Sequence, residues 1–148
     1  MDEGPDTPEQ LKARALRHLV RREHSRAELA RKLAPHAEST QAVEVLLDLL
    51  LSRKQQSDER FAAERARVLS RKYGSARVRH DLKSKGVSDE LAERIASQSD
   101  DLAKARAILD KKFPSKSERR EELARRARFL QGRGFSYDVI SRVLKDAG

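Results

Sequence analysis

Ser25-Arg26-Ala27-Glu28-Leu29-Ala30-Arg31-Lys32-Leu33 comes back 49 residues later as Gly74-Ser75-Ala76-Arg77-Val78-Arg79-His80-Asp81-Leu82, with an alanine, an aliphatic residue and a leucine in the same places. Self-similarity at a spacing of about 20–50 residues is the mark of stacked supersecondary units. In the first copy Glu28 follows Ser25 by three, forming a capping box in which each side chain satisfies an orphan amide at a helix start. In the second copy Arg77 stands in place of Glu28, and basic residues crowd this helix and the one before it. One fold unit is used at least twice, and its second copy is turned towards a negatively charged partner.

Helix signals continue on both sides of these two stretches. Thr7, Pro8 and Gln10 agree on a helix start, followed by the stripe Leu11, Ala15, Leu16, Leu19 and Val20. After the Ser25 helix stops before Pro35, Ser39 opens a third, apolar almost all round from Val43 to Leu51 and expected to be the buried one. Ser57 caps a fourth, with Asp58 and Glu59 at the positive end of its dipole and an inner face of Phe61, Ala62, Ala66, Leu69 and Tyr73. Phe61 is expected to pack against Leu46 and Leu50. The fifth, Ser75 to Lys85, buries Val78 and Leu82 and ends at a left-handed Gly86. The sixth opens at Ser88 and buries Leu91, Ala92 and Ile95.

A seventh helix runs from Asp100 to the residue before Pro114, and an eighth is capped by Ser117, with Leu123, Ala127, Phe129 and Leu130 inward and Gly132 and Gly134 as its stop. The ninth starts at Ser136, and its entry Gly134-Phe135-Ser136 echoes Gly86-Val87-Ser88. The fold class expected is all-α: an elongated tandem array of three three-helix repeats, at 7–54, 55–98 and 99–148, behind a disordered leader at 1–6. A single unit of about 45 residues is marginal alone, so stacking of neighbours is the reason to have three.

Composition removes several function classes. The chain of 148 residues has no cysteine, which excludes a disulfide framework and thiolate metal sites and suits a reducing compartment. Its longest apolar run, Val45 to Leu51, contains Asp48 and cannot span a bilayer. The start, Met-Asp-Glu-Gly-Pro, is not a signal peptide, so the expected location is the cytoplasm. The net charge of +9 is concentrated: residues 65–85 hold 8 basic groups against 1 acid and residues 111–133 come to +6, whereas residues 1–64 balance to −1. Such segregation focuses potential on a polyanion, although each basic run by itself also fits a solvated helix face.

No catalytic constellation is present. His18, His24, His36 and His80 are scattered, without metal-ligand spacing, and read as surface or helix-end residues. The glycines stand where helix terminators are wanted rather than in a phosphate loop. Neither enzyme activity, nor a cofactor, nor a metal is expected. A helix-turn-helix reader over residues 75–97 is suggested by Lys85-Gly86-Val87-Ser88, but the helix after that turn carries Asp89, Glu90 and Glu93 against Arg94 and would be repelled by phosphates.

Three stretches resemble the RecX proteins of bacteria: Ala15-Leu16 through Arg21-Arg22-Glu23-His24-Ser25-Arg26-Ala27-Glu28-Leu29, Ser57-Asp58-Glu59-Arg60-Phe61-Ala62, and Phe129-Leu130 through Arg133-Gly134-Phe135-Ser136. The likeness spans about residues 8–148. It implies three three-helix repeats that lodge in the groove of the RecA recombinase filament and restrain its ATP hydrolysis and strand exchange, with no catalytic residue. Gly132 departs from the pattern, since many members have arginine or lysine there, and this weakens the last basic surface.

The residues expected to meet the partner or phosphate are Arg67, Arg71, Lys72, Arg77, Arg79, Lys83, Lys85, Arg125, Arg126 and Arg128. Arg67 and Arg71 share the outer face of one helix, and Arg77, Arg79 and Lys83 share that of the next. If those helices are antiparallel neighbours, the five cations form one patch. The partners expected are the RecA filament and, directly, single- or double-stranded DNA, with no membrane, for a protein that is a monomer. The alternative is a general nucleic-acid-binding module. Against it, the few tyrosines and phenylalanines stand mostly at core spacing, away from where stacking would need them.

Overall fold

The computed structural model describes residues 4–147 and contains only helices among them. The helices are α1 (Pro8–Arg21), α2 (Arg26–Leu33), α3 (Thr40–Ser52), α4 (Asp58–Leu69), α5 (Ser75–Ser84), α6 (Asp89–Ala96), α7 (Asp101–Lys112), α8 (Arg120–Gly132) and α9 (Tyr137–Ala147), with a 3-10 turn at Ala34–His36. Capping residues account for most of the starts. Thr7 and Ser25 make full capping boxes with Gln10 and Glu28, and Ser39, Ser57, Ser88 and Asp100 each accept a first-turn amide. Helix α8 begins two residues later than an N-cap at Ser117 suggests, because that hydroxyl accepts only from the Arg119 amide and no side chain caps the helix itself.

Each triplet closes on its own core. Leu11, Ala15, Leu29, Leu33, Val43, Leu46, Leu47 and Leu50 form the first; Phe61, Ala62, Val78, Leu82, Val87, Ala92, Ile95 and Ala96 the second; Ala105, Leu109, Leu130, Phe135, Ile140 and Val143 the third. Phe61 therefore packs inside the second unit and does not join Leu46 and Leu50. With only three helices around each core, one face of every helix stays wet. Val20 is 86% exposed and Val45 62%, where the apolar stripes of α1 and α3 had suggested burial. Val45 instead lines an open groove of about 530 Å³ between α1 and α3, with Pro8, Leu11 and Leu49.

Residues 1–3 of the expected leader lie outside the described residues. Asp6 is tied down: its amide donates to the His36 carbonyl at 2.8 Å and its carboxylate takes Arg14 at 2.8 Å.

Neighbouring units meet through two junctions built alike, and the 49-residue echo lies at both. The carbonyl of His24 accepts from Gln56 at 3.3 Å, and that of Tyr73 from Lys104 at 3.0 Å. Arg26 donates its amide to Asp58, and Ser75 donates its own to Asp101, so an acid in the first turn of each following unit caps the middle helix of the unit before. Between these pairs stand Ser25 and Gly74. The Ser25 hydroxyl accepts from the Glu28 amide and donates to the Lys85 carbonyl at 2.7 Å. Gly74 donates its amide to the Arg133 carbonyl at 2.8 Å, and a Cβ there would sit 2.6 Å from the Gly134 oxygen, so serine cannot be repeated.

Asp101 is the most heavily used of these acids. Burial pushes its carboxyl up, but hydrogen bonds from Ser99 and from the Ser75 hydroxyl and amide, with the Lys104 charge, outweigh it and hold the group below its usual 3.8. A carboxyl depressed on folding contributes stability that is complete above its ordinary value and fades as pH falls through the lowered one. The melting temperature should hold from neutral pH to about 5 and drop below about 4. Asp101→Ala should lower the neutral-pH stability by about 1–2 kcal/mol, as a lost helix cap does, and flatten the acid limb, both readable from thermal melts across pH.

Candidate functional site

The ten cations singled out in the sequence fall into different surroundings. Arg67 is exposed and bonded to Glu64 of its own helix at 2.6 Å. Arg79 and Lys83 turn to the acids of α6, Glu93 and Asp89, and Lys85 shares Asp81 with Arg65. The side of α5 that reads as outward is thus partly its seam with α6, and the five cations do not gather into one bare patch. Arg125 pairs with Glu122 over the Phe113 ring. Arg126 is only 6% exposed, holding Glu122 and the Ser115 carbonyl at 2.6 Å and lying 5.0 Å from the Phe113 ring, so it braces the third unit rather than facing solvent.

Arg71, Lys72, Arg77 and Arg128 are exposed and hold no ion pair among the described residues. Arg71 and Lys72 sit on the turn after α4, where the helix has ended at Leu69 and the chain runs to Gly74. Arg77 lies at the junction of the second and third units: its guanidinium covers the Tyr73 ring at 4.5 Å and donates to the Gly132 carbonyl at 3.1 Å.

The residue that completes this junction, Arg133, is none of those ten cations. Arg133, half-buried, lies 5.7 Å from the Tyr73 ring of the second unit and 4.8 Å from the Phe129 ring of the third, and donates to the Lys72 carbonyl at 3.3 Å. Lys112 approaches the same Phe129 ring at 5.9 Å. Cations and rings thus alternate from Arg77 through Tyr73, Arg133 and Phe129 to Lys112, a set of contacts each worth about 0.5–2 kcal/mol. The signal was present in the glycine echo: Arg133 precedes Gly134 as Lys85 precedes Gly86, and both glycines adopt φ of +88°.

Among the described residues no group of three or more His, Asp or Glu side chains could hold a metal ion. His24 is buried: it shares a hydrogen with the Arg22 carbonyl at 3.0 Å and contacts the Lys32 ammonium at 2.9 Å. Burial first, then the charges of Arg22 and Lys32, push its ring below the usual 6.5 despite the Arg22 carbonyl and Glu28, so Nδ1 donates and Nε2 accepts from lysine. No described helix is long and apolar enough to cross a membrane.

Comparison with known proteins agrees with this architecture. Residues 57–94 match the family model of the second three-helix domain of RecX, and residues 99–144 that of the third. The regulatory protein RecX of Ralstonia nicotianae is 42% identical over 145 residues, covering 97% of this chain and 91% of that protein. That of Leptothrix cholodnii is 42% identical over 137 residues, covering 91% and 87%. The crystal structure of RecX from Lactobacillus salivarius superimposes with a TM-score of 0.83 at 20% identity, covering 95% of this chain and 96% of that one, a likeness of fold.

Proposed function

We propose a specific target for this protein from one premise: the chain belongs to the RecX family, whose named members are regulatory proteins. The target is the RecA recombinase filament, and the action is restraint of its ATP hydrolysis and strand exchange. The protein works by contact and carries out no chemistry of its own, as a monomer in the cytoplasm and without a cofactor. The observation that carries this reading is that Arg71, Lys72, Arg77 and Arg128 stand exposed and without carboxylates inside the two segments, 65–85 and 111–133, where the positive charge is concentrated.

Three small cores joined end to end make a long, narrow body suited to a helical groove lined by acidic side chains and nucleic-acid phosphates. Contacts distributed along such a body act together, because each one formed raises the effective concentration of the next. Point charges confer affinity and register without reading sequence, and the affinity falls with salt as counterions are no longer released to advantage.

The test is inhibition of filament ATP hydrolysis at fixed salt. Arg71→Glu with Arg128→Glu should raise the half-inhibiting concentration at least about tenfold, since each lost charge-assisted contact is worth roughly 1.5–3 kcal/mol. Arg17→Glu with Arg31→Glu is the matched control in the charge-balanced first unit, because both are exposed, whereas Arg14 is committed to Asp6. Equal loss from both pairs would leave the basic surface with no special role.

A further inference from the structure

We propose that the junction between the second and third units is a direct binding site for single-stranded nucleic acid, with Arg77 and Arg133 on the phosphodiester backbone and Tyr137 stacked on a base. This deepens the filament reading and rests on it for its place in the cell, naming the surface that faces the nucleic acid.

The argument begins with Arg133. Four other arginines are half-buried, Arg14, Arg26, Arg65 and Arg79, and Arg126 is buried; each holds a carboxylate, from Asp6, Glu44 with Asp48, Asp81, Glu93 and Glu122 respectively. That is the expected rule, since a charge withdrawn from water needs an opposite charge. Arg133 breaks it: two ring faces and one carbonyl are its surroundings, and no acid pairs with it among the described residues. Arg77, equally without an acid, shares the Tyr73 ring with it. Two uncompensated guanidinium groups on one ring repel each other, and an anion placed between them relieves that repulsion. Each guanidinium is placed by ring contact and by a single carbonyl, so further N–H donors stay available for the paired oxygens of a phosphodiester.

Tyr137 decides between a nucleic-acid phosphate and a protein carboxylate. It is 85% exposed at the first position of α9, four residues after Arg133, so at most about 14 Å of chain separates them. Phe113 and Phe129 are engaged by arginines and lysine, Tyr73 is covered by Arg77 and Arg133, and Phe61 and Phe135 are in cores; Tyr137 alone among the described aromatic rings is this exposed. A bare ring four residues from an anion site fits a nucleotide, whose base stacks while its phosphate is held, whereas the carboxylates of an acidic peptide are not drawn to the electron-rich ring face. The aromatic missing from the sequence argument against single-strand binding is therefore present.

The experiment is fluorescence anisotropy of the full chain with a labelled oligothymidylate, no recombinase present, across a salt series. Tyr137→Ala should weaken binding at least about fivefold with an unchanged melting temperature, and Tyr137→Phe should bind as the parent does. Arg77→Gln with Arg133→Gln should weaken binding and reduce the logarithmic salt slope by about 1.4, two phosphates' worth for a single strand. Should that double variant melt early, Tyr137→Ala alone decides the matter. Unchanged binding by Tyr137→Ala, or displacement of the oligonucleotide by polyglutamate at equal charge, overturns the proposal. Neither result touches the filament reading, which fails separately if the parent protein does not restrain filament ATP hydrolysis.

Discussion

Phe61→Ala is expected to lower the unfolding free energy by about 3–5 kcal/mol, the usual range for deleting a buried phenylalanine. The ring is 3% exposed among Ala62, Val78, Leu82, Val87, Ala92, Ile95 and Ala96, and three of those seven neighbours are alanines, too small to close over the gap. Because the second core is separate from the other two, the loss falls on one unit. Hydrogen exchange should show α4 to α6 losing protection first while Leu29 and Leu47 in the first unit keep theirs. A chemical denaturation curve unchanged by the substitution would show that the ring is not the anchor of that unit.

Gly134→Ala is expected to cost about 2–4 kcal/mol and to loosen the array at one place, combining left-handed strain with overpacking. Gly134 has φ of +88°, and a Cβ there would lie 2.5 Å from the Arg77 Cβ and 2.8 Å from its amide nitrogen. Backbone cannot give way as a flexible side chain can, so the third unit must tilt from the second. The tilt should break the Gly74 amide bond to the Arg133 carbonyl, read as faster exchange of that amide, and raise the radius of gyration in small-angle scattering. Gly132→Ala is the control: two residues away, a Cβ at Gly132 meets nothing within 4 Å, and its φ is not left-handed. It should leave scattering unchanged and, by restricting the unfolded chain, hold or slightly raise stability. Equal effects from the two substitutions would mean that close packing at Gly134 does not set the junction.

The same open space at Gly132 clarifies the family departure noted there. Glycine is not required by packing, so an arginine or lysine at this place would project into solvent near Arg77 and Arg133. Its absence here removes a charge and leaves the fold alone.

Helix number, most starts and most of the inward faces were legible in the chain because they are local. A serine three residues before a capping amide, or leucines at helical spacing, act over a few residues and need no partner elsewhere. The repeat was legible for the same reason, as was the concentration of positive charge in residues 65–85 and 111–133. Which cations remain free was not. Arg79 faces Glu93 and Lys83 faces Asp89 because α5 packs on α6, and Arg126, whose Glu122 stands one turn back on its own helix, is buried only by the packing of the third unit. Arg133 and Tyr73 are 60 residues apart in sequence and meet only because the Gly134 turn lets the third unit close on the second. Sequence by itself determined the units and their total charge, through short-range hydrogen bonding and apolar periodicity. Tertiary structure alone decided the junctions and the charges left without partners, because each depends on two surfaces that come together only when the neighbouring units have folded.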